Sequence, residues 1–125
     1  MKLRYFKLHE FDSPDEPGSG AANMDPGFLR MLDNARHYSG IPYKITSGFR
    51  TQAHHDSLTA RGYKTSPTSA HLQGYAADIY ARSNHARMMV VYGLIKAGFN
   101  RIGVGRTFIH VDDHPGKRPD VMWLY

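Results

Sequence analysis

An α+β domain, with a small antiparallel sheet and flanking helices, follows from three features of the sequence. Its 125 residues suit one domain with one hydrophobic core. Helix and strand signals come in runs with no repeating βαβ period. The candidate helices open at capping side chains and stop at glycines, which marks their limits.

Residues 1–24 read as an N-terminal arm of that single 1–125 domain. Phe6, Leu8 and Phe11 can dock on a core, and Asp12 to Gly20 is turn chemistry broken by Pro and Gly. Asp25-Pro26 then opens a helix, with Asp as N-cap and Pro at the first helical position. Phe28, Leu32 and Ala35 recur at helical spacing, and Gly40 ends the element. Tyr43 to Thr46 alternates as a strand does. Thr51 to Ala60 predicts a short helix closed by Gly62, followed by a polar loop from Tyr63 to Ala70. Ala76 to Tyr80 predicts a second strand. Ser83 caps a long helix running to Ala97, with Met88, Val91, Tyr92 and Ile95 as its expected buried stripe and Gly98 as its stop. Arg101–Val104 and Thr107–Asp112 read as strands separated by Gly105-Arg106. Val121–Tyr125, after the Pro115-Gly116 turn, reads as a last strand.

Composition excludes some chemistries. The absence of cysteine removes disulfides and Cys-ligated zinc. A net charge of +5 and a pI near 9.6 favour anionic partners. Lys and Arg are nevertheless scattered, so no nucleic-acid partner is expected. Met1 to His9 lacks the apolar run of a signal peptide. Met88 to Ile95, the longest apolar run, is far short of the ~20 residues a membrane span needs, so no membrane insertion is expected. Synthesis in a cytoplasm follows, and a monomer is expected.

The residues that carry chemistry lie in Ser69-Ala-His71-Leu-Gln-Gly74-Tyr-Ala76-Ala-Asp78 and Phe108-Ile-His110-Val-Asp112. Two imidazoles and a carboxylate can hold a catalytic zinc (Zn2+) with a fourth position open to water. Such an ion lowers the pKa of water from ~15.7 to roughly 7. Asp78 stands mid-strand between apolar neighbours, where an unpaired carboxylate is costly to bury. His110 and Asp112 share one strand face, ~6–7 Å apart. Taken singly, His71 also reads as a solvated loop histidine, Asp78 as an arginine's partner and His110 as a hydrogen-bonded core histidine. His54 and His55 are expected on an exposed helix, and Trp123 in the core or a cleft wall. Ser47 and Ser69 lack the surroundings of a nucleophile elbow.

Ser69-x-His71-x-x-Gly74-x-Ala76-x-Asp78, with a later strand histidine and the upstream Ser47-Gly48-Phe49-Arg50, resembles a family of zinc peptidases of peptidoglycan. These are the D-Ala-D-Ala carboxypeptidases and L-alanyl-D-glutamate peptidases, related in fold to the Hedgehog signalling domain. The resemblance spans residues 25–125, and the size and the His-Val-Asp ending are similar to short phage-encoded members. It implies zinc on His71, Asp78 and His110, a peptidoglycan stem peptide as substrate, and action on the cell wall. It also implies that Arg50 holds substrate or stabilises an oxyanion, against the alternative of a structural ion pair.

One departure stands out. Many members carry Asp or Glu three residues before the last histidine ligand, as general base. Thr107 stands there and cannot serve. Asp112 is the nearest carboxylate by strand geometry, either as that base or as an acceptor that orients a ligand histidine. Asp113 points to the other strand face, and Pro115 pushes His114 past the site. Two functions therefore compete on this fold: a peptidase, and a zinc-containing wall-binding module that has lost cleavage. A basic nucleic-acid-binding domain is the third and weakest reading.

Overall fold

The computed structural model describes residues 1–125. The fold is α+β, as predicted. Five strands, β1 (Ile45–Ser47), β2 (Ala76–Tyr80), β3 (Arg101–Val104), β4 (Phe108–Asp112) and β5 (Val121–Leu124), form one sheet in the order β1-β2-β4-β3-β5. The helices are α1 (Ser19–Asn23), α2 (Pro26–Ser39), α3 (Gln52–Ala60) and α4 (Asn84–Ala97). Short 3-10 turns cover Leu8–Phe11 and Ala70–Gln73. No helix is long and apolar enough to cross a membrane.

The predicted boundaries have visible causes. The Asp25 carboxylate accepts from Phe28 N at 2.9 Å and starts α2, and Gly40 closes it at φ 71°. Ser83 Oγ accepts from Ala86 N at 3.0 Å and starts α4, and Gly98 ends it at φ 107°. Thr51 caps α3 in the same way through His54 N.

The expected stripe of α4 is on the wrong side. Met88 and Ile95 are 65% and 55% exposed and Tyr92 is also exposed, whereas Val90 and Leu94 are fully buried. Residues 88–95 are apolar almost throughout, so periodicity cannot fix the phase of the helix. Gly93 fixes it. A Cβ there would collide with the Ala35 carbonyl oxygen, lie 2.5 Å from the Tyr43 hydroxyl and 2.8 Å from Ser39 Cβ. The bare backbone lets α4 press onto α2. The buried Tyr43 hydroxyl donates to Val90 O at 3.1 Å and ties the two helices to the chain ahead of β1.

β5 also departs from an all-antiparallel sheet, since it pairs with β3 in parallel. Both flanks of β4 are already taken by β2 and β3. The chain reverses after β4, steps past β3 and joins its free edge, so that β5 opposes β4 and runs with β3.

The N-terminal arm docks on the core through Phe6, Leu8 and Phe11, the residues expected to do so. Phe6, Phe11 and Met24 are buried in it. Phe11 O accepts from Phe49 N at 2.9 Å, and Gly48 sits so close to the Phe11 backbone that a Cβ would lie 2.7 Å from its Cα.

Register places the site. Asp78 pairs with Ser47 on one side and His110 on the other, and Gly103 pairs with both His110 and Trp123. These five positions form one row across the sheet. The alternating residues Ala77, Ile79, Ile102, Ile109 and Val111 turn to the other face and fill the core.

Candidate metal centre

His71 is set by the turn that precedes β2. Ser69 Oγ accepts from His71 N at 3.3 Å, and Gly74, at φ 78°, turns the chain into the strand. The Gly74 backbone lies against Asn23 O, where no side chain would fit. His71 Nδ1 is 2.7 Å from Gly48 O. A carbonyl can only accept, so Nδ1 carries the proton and Nε2 presents its lone pair. Burial holds the His71 pKa down, which keeps the ring neutral. Nε2 lies 3.3 Å from Asp78 Oδ1.

His110 reaches the same oxygen from β4, with Nδ1 2.9 Å from Asp78 Oδ1. Its other nitrogen, Nε2, is 2.7 Å from Asp112 Oδ2. Burial disfavours a charge on this ring, but the hydrogen bonds to Asp112 and Asp78 outweigh it and raise the pKa to about 9. Burial also opposes the charge on Asp78, yet the protonated His110, 2.9 Å from Oδ1, holds its carboxyl well below the usual carboxylate range. Arg50 Nη2 lies 3.4 Å from Asp78 Oδ2, and its Nε donates to Ser47 Oγ at 3.0 Å.

The donor set fits zinc. One nitrogen of each histidine and one Asp78 oxygen lie within 4.8 Å of one another. The 3.3 Å spacing of His71 Nε2 and Asp78 Oδ1 is close to the ~3.3 Å expected between ligands ~2.0–2.1 Å from a tetrahedral ion. Each histidine is anchored through its far nitrogen, His71 on a carbonyl and His110 on a carboxylate, as ligand histidines are.

The Peptidase M15 family model matches residues 4–112. The chain belongs to the Peptidase M15 family. Among solved structures it is similar to the L-Ala D-Glu endopeptidase ChiX of Serratia marcescens, with a TM-score of 0.54 and 20% sequence identity. The match covers 61% of this chain and 62% of that one, less than two thirds of its length, and is a likeness of fold. No curated protein matches the sequence.

In this M15 chain the structure brings His71, Asp78, His110, Asp112 and Arg50 together. Thr107 is exposed ahead of β4 and offers no carboxylate. The Asp113 side chain makes no hydrogen bond or ion pair with the centre, and burial, reinforced by Asp25 and Asp112, pushes its carboxyl up to about 6. His55 is buried, not exposed, and is the one buried residue of α3. That helix has few apolar residues, so its inward position falls on a histidine.

Sequence reasoning missed the partners of the site residues. Arg101 Nε donates to Asp112 Oδ1 at 2.6 Å. The only signal was an arginine at the head of β3, in phase with Gly103. The Gly48 carbonyl, which sets the His71 tautomer, has no side chain to announce it. Trp123 is half-buried, its ring 5.5 Å from that of His110. His114 Nε2 is 2.7 Å from Gln73 Oε1.

Proposed function

We propose that this M15 chain is a zinc-dependent peptidase that hydrolyses an amide bond of peptidoglycan stem peptides, by D-Ala-D-Ala carboxypeptidase or L-Ala-D-Glu peptidase action. The observation that carries the reading is the convergence of His71 Nε2, Asp78 Oδ1 and His110 Nδ1, with both histidines anchored from behind.

Zinc held by these three residues would supply a Lewis acid for the scissile carbonyl and acidify water at neutral pH. The chain supplies orientation and charge. Arg50 is half-buried beside Asp78 and spends one donor on Ser47 and one on Asp78. Its remaining N–H groups are available to a substrate carbonyl or carboxylate. Asp112 has one oxygen on His110 and the other on Arg101. Those two bonds favour a carboxylate that orients the ligand histidine over one that takes the reaction's proton. Trp123, with its ring beside that of His110, offers an apolar surface to a bound peptide.

A second reading, a zinc-containing wall-binding module that does not cleave, is favoured by Thr107 at the position where many relatives carry an acid. Mass spectrometry of L-Ala-D-Glu-(diamino acid)-D-Ala-D-Ala peptides separates the two. Zinc-loaded protein is compared with a chelated control and with His110→Ala. Zinc-dependent loss of the C-terminal alanine identifies a carboxypeptidase, and release of the N-terminal alanine an L-Ala-D-Glu peptidase. Bound zinc with intact peptides selects the binding module. Hydrolysis that persists without bound metal refutes the zinc assignment.

A further inference from the structure

Beyond the metal centre, at the end of the sheet where α4 begins, lies an open, solvent-facing cavity of about 400 Å³. It is lined by Arg82, Arg87 and Arg106, with Gly105, Leu124 and Tyr125. None of the three arginines forms an ion pair with an acidic side chain. Guanidinium groups stay charged at any physiological pH, so three around one cavity repel one another unless an anion joins them. The first turn of α4, which opens beside them, also carries no acidic residue to offset its positive end.

The three arginines differ in freedom. Arg87 is fixed, with Nη1 donating to Arg106 O at 2.7 Å and to Arg82 O at 3.3 Å, and Nη2 donating to Asn84 Oδ1 at 2.5 Å. It holds the two chain segments that carry Arg82 and Arg106. Those two are exposed, and their side chains make no hydrogen bond within the protein. The result is a braced cavity with two unengaged guanidinium forks at its mouth.

Tyr125 joins this cavity to the metal centre. Its ring packs on Phe108 with centroids 4.9 Å apart and on Trp123 at 6.3 Å, and Trp123 stands beside His110. From His110 back to Arg106 is four residues, at most about 13 Å of chain, because residues 105–107 form the turn between β3 and β4. An extended peptide covers that span in roughly four residues.

We propose that this cavity is a subsite for a carboxylate of the substrate, gripped by Arg82 and Arg106 while the reacting amide sits at the metal centre. The proposal rests on the peptidase reading, and the bond that is cut decides which carboxylate enters the cavity. A stem peptide cut near its D-Ala-D-Ala end would place the D-Glu carboxylate in the cavity. One cut at the L-Ala-D-Glu bond would place its C-terminal carboxylate there.

The test compares zinc-loaded protein with the Arg82→Gln/Arg106→Gln double variant, which leaves the Arg87 brace intact. Substrates are the stem peptide with all carboxylates free and peptides amidated at one carboxylate at a time. The expected result is that amidating one particular carboxylate raises KM about tenfold for the unsubstituted protein with kcat little changed, in line with two partly exposed charge contacts. The double variant shows the same rise on the free peptide and no further rise on amidation. Equal losses on every peptide, or none, overturn the subsite.

Binding is read separately, from amide NMR shifts of Gly105, Leu124 and Tyr125 as uncut peptide is titrated into chelator-treated protein. Carboxylate-dependent shifts without cleavage under any condition would sink the peptidase reading and keep the subsite. Cleavage with no shifts there would sink the subsite alone. Shifts with polyglycerol phosphate and none with the peptide would overturn the carboxylate assignment.

Discussion

Asp112 meets His110 at Nε2, across the imidazole from the Nδ1 that faces Asp78. The carboxylate thus stands behind the ring, and Arg101 pins its other oxygen. Asp112→Asn should weaken zinc binding by about 10–100-fold, as loss of an outer partner of a ligand histidine does. Competition against a chromophoric chelator measures it. Activity should return largely at saturating zinc. A deep kcat defect that persists there would make Asp112 the proton acceptor instead.

His110 predicts a pH dependence for the metal-free protein. Its folded pKa of about 9 exceeds the ordinary value near 6.5. Its contribution, on the order of 3 kcal/mol, is complete below pH 6.5 and is lost as pH rises through 9. His71 acts in the opposite direction. Its depressed pKa costs stability as pH falls below 6.5. Urea unfolding of chelator-treated protein should therefore weaken as pH rises from 6.5 through 9, while below 6.5 His71 and Asp113 act in opposite directions. A flat profile from pH 6.5 to 9.5 would contradict the paired geometry.

Zinc binding should release a proton below pH 9, because His110 must free Nδ1 to act as a ligand. Calorimetry in buffers of different ionisation enthalpy counts it. A binding enthalpy independent of buffer at pH 7 would show that His110 is not the ligand.

Asp113 carries an avoidable cost. Its carboxyl titrates near 6 because of burial and of Asp25 and Asp112, so ionisation at neutral pH opposes folding. Asp113→Asn should stabilise the protein by roughly 1 kcal/mol at pH 7, discounted for its partial exposure. The gain should disappear below about pH 4, where the unfolded carboxyl is also protonated. Paired denaturation curves at pH 7 and pH 4 check both halves.

Gly74→Ala should lower stability by roughly 3 kcal/mol. It places a side chain at φ 78° and drives it into Asn23 O. The urea midpoint should fall sharply, and His71 should lose its approach to Gly48 O. An unchanged midpoint would refute the close packing behind the turn.

The ends of α2, α3 and α4 were legible because Asp25, Thr51, Ser83 and the glycines that follow mark helix ends chemically. The centre was legible because His71, Asp78 and His110 are residue types that fit a metal in that order. The phase of α4 was not, since it depends on Gly93 meeting α2, a contact between distant segments. Nor was the direction of β5, set by which flanks of β4 were already occupied. Arg101 escaped notice for a similar reason. Its salt-bridge partner Asp112 lies across the pairing of β3 with β4, and such a cross-strand contact leaves no local pattern in the chain.

Asp78 and His110 lie 32 residues apart and meet only through the pairing of β2 with β4. Closing such a loop costs entropy before any contact repays it, and a sheet with this contact order forms slowly. A chain still folding already has its histidines and aspartates yet has nothing that resembles the centre. Metal captured by that set stabilises the finished sheet alone. An ion in this protein would therefore act as the last rivet in assembly, set only once β2 and β4 have paired.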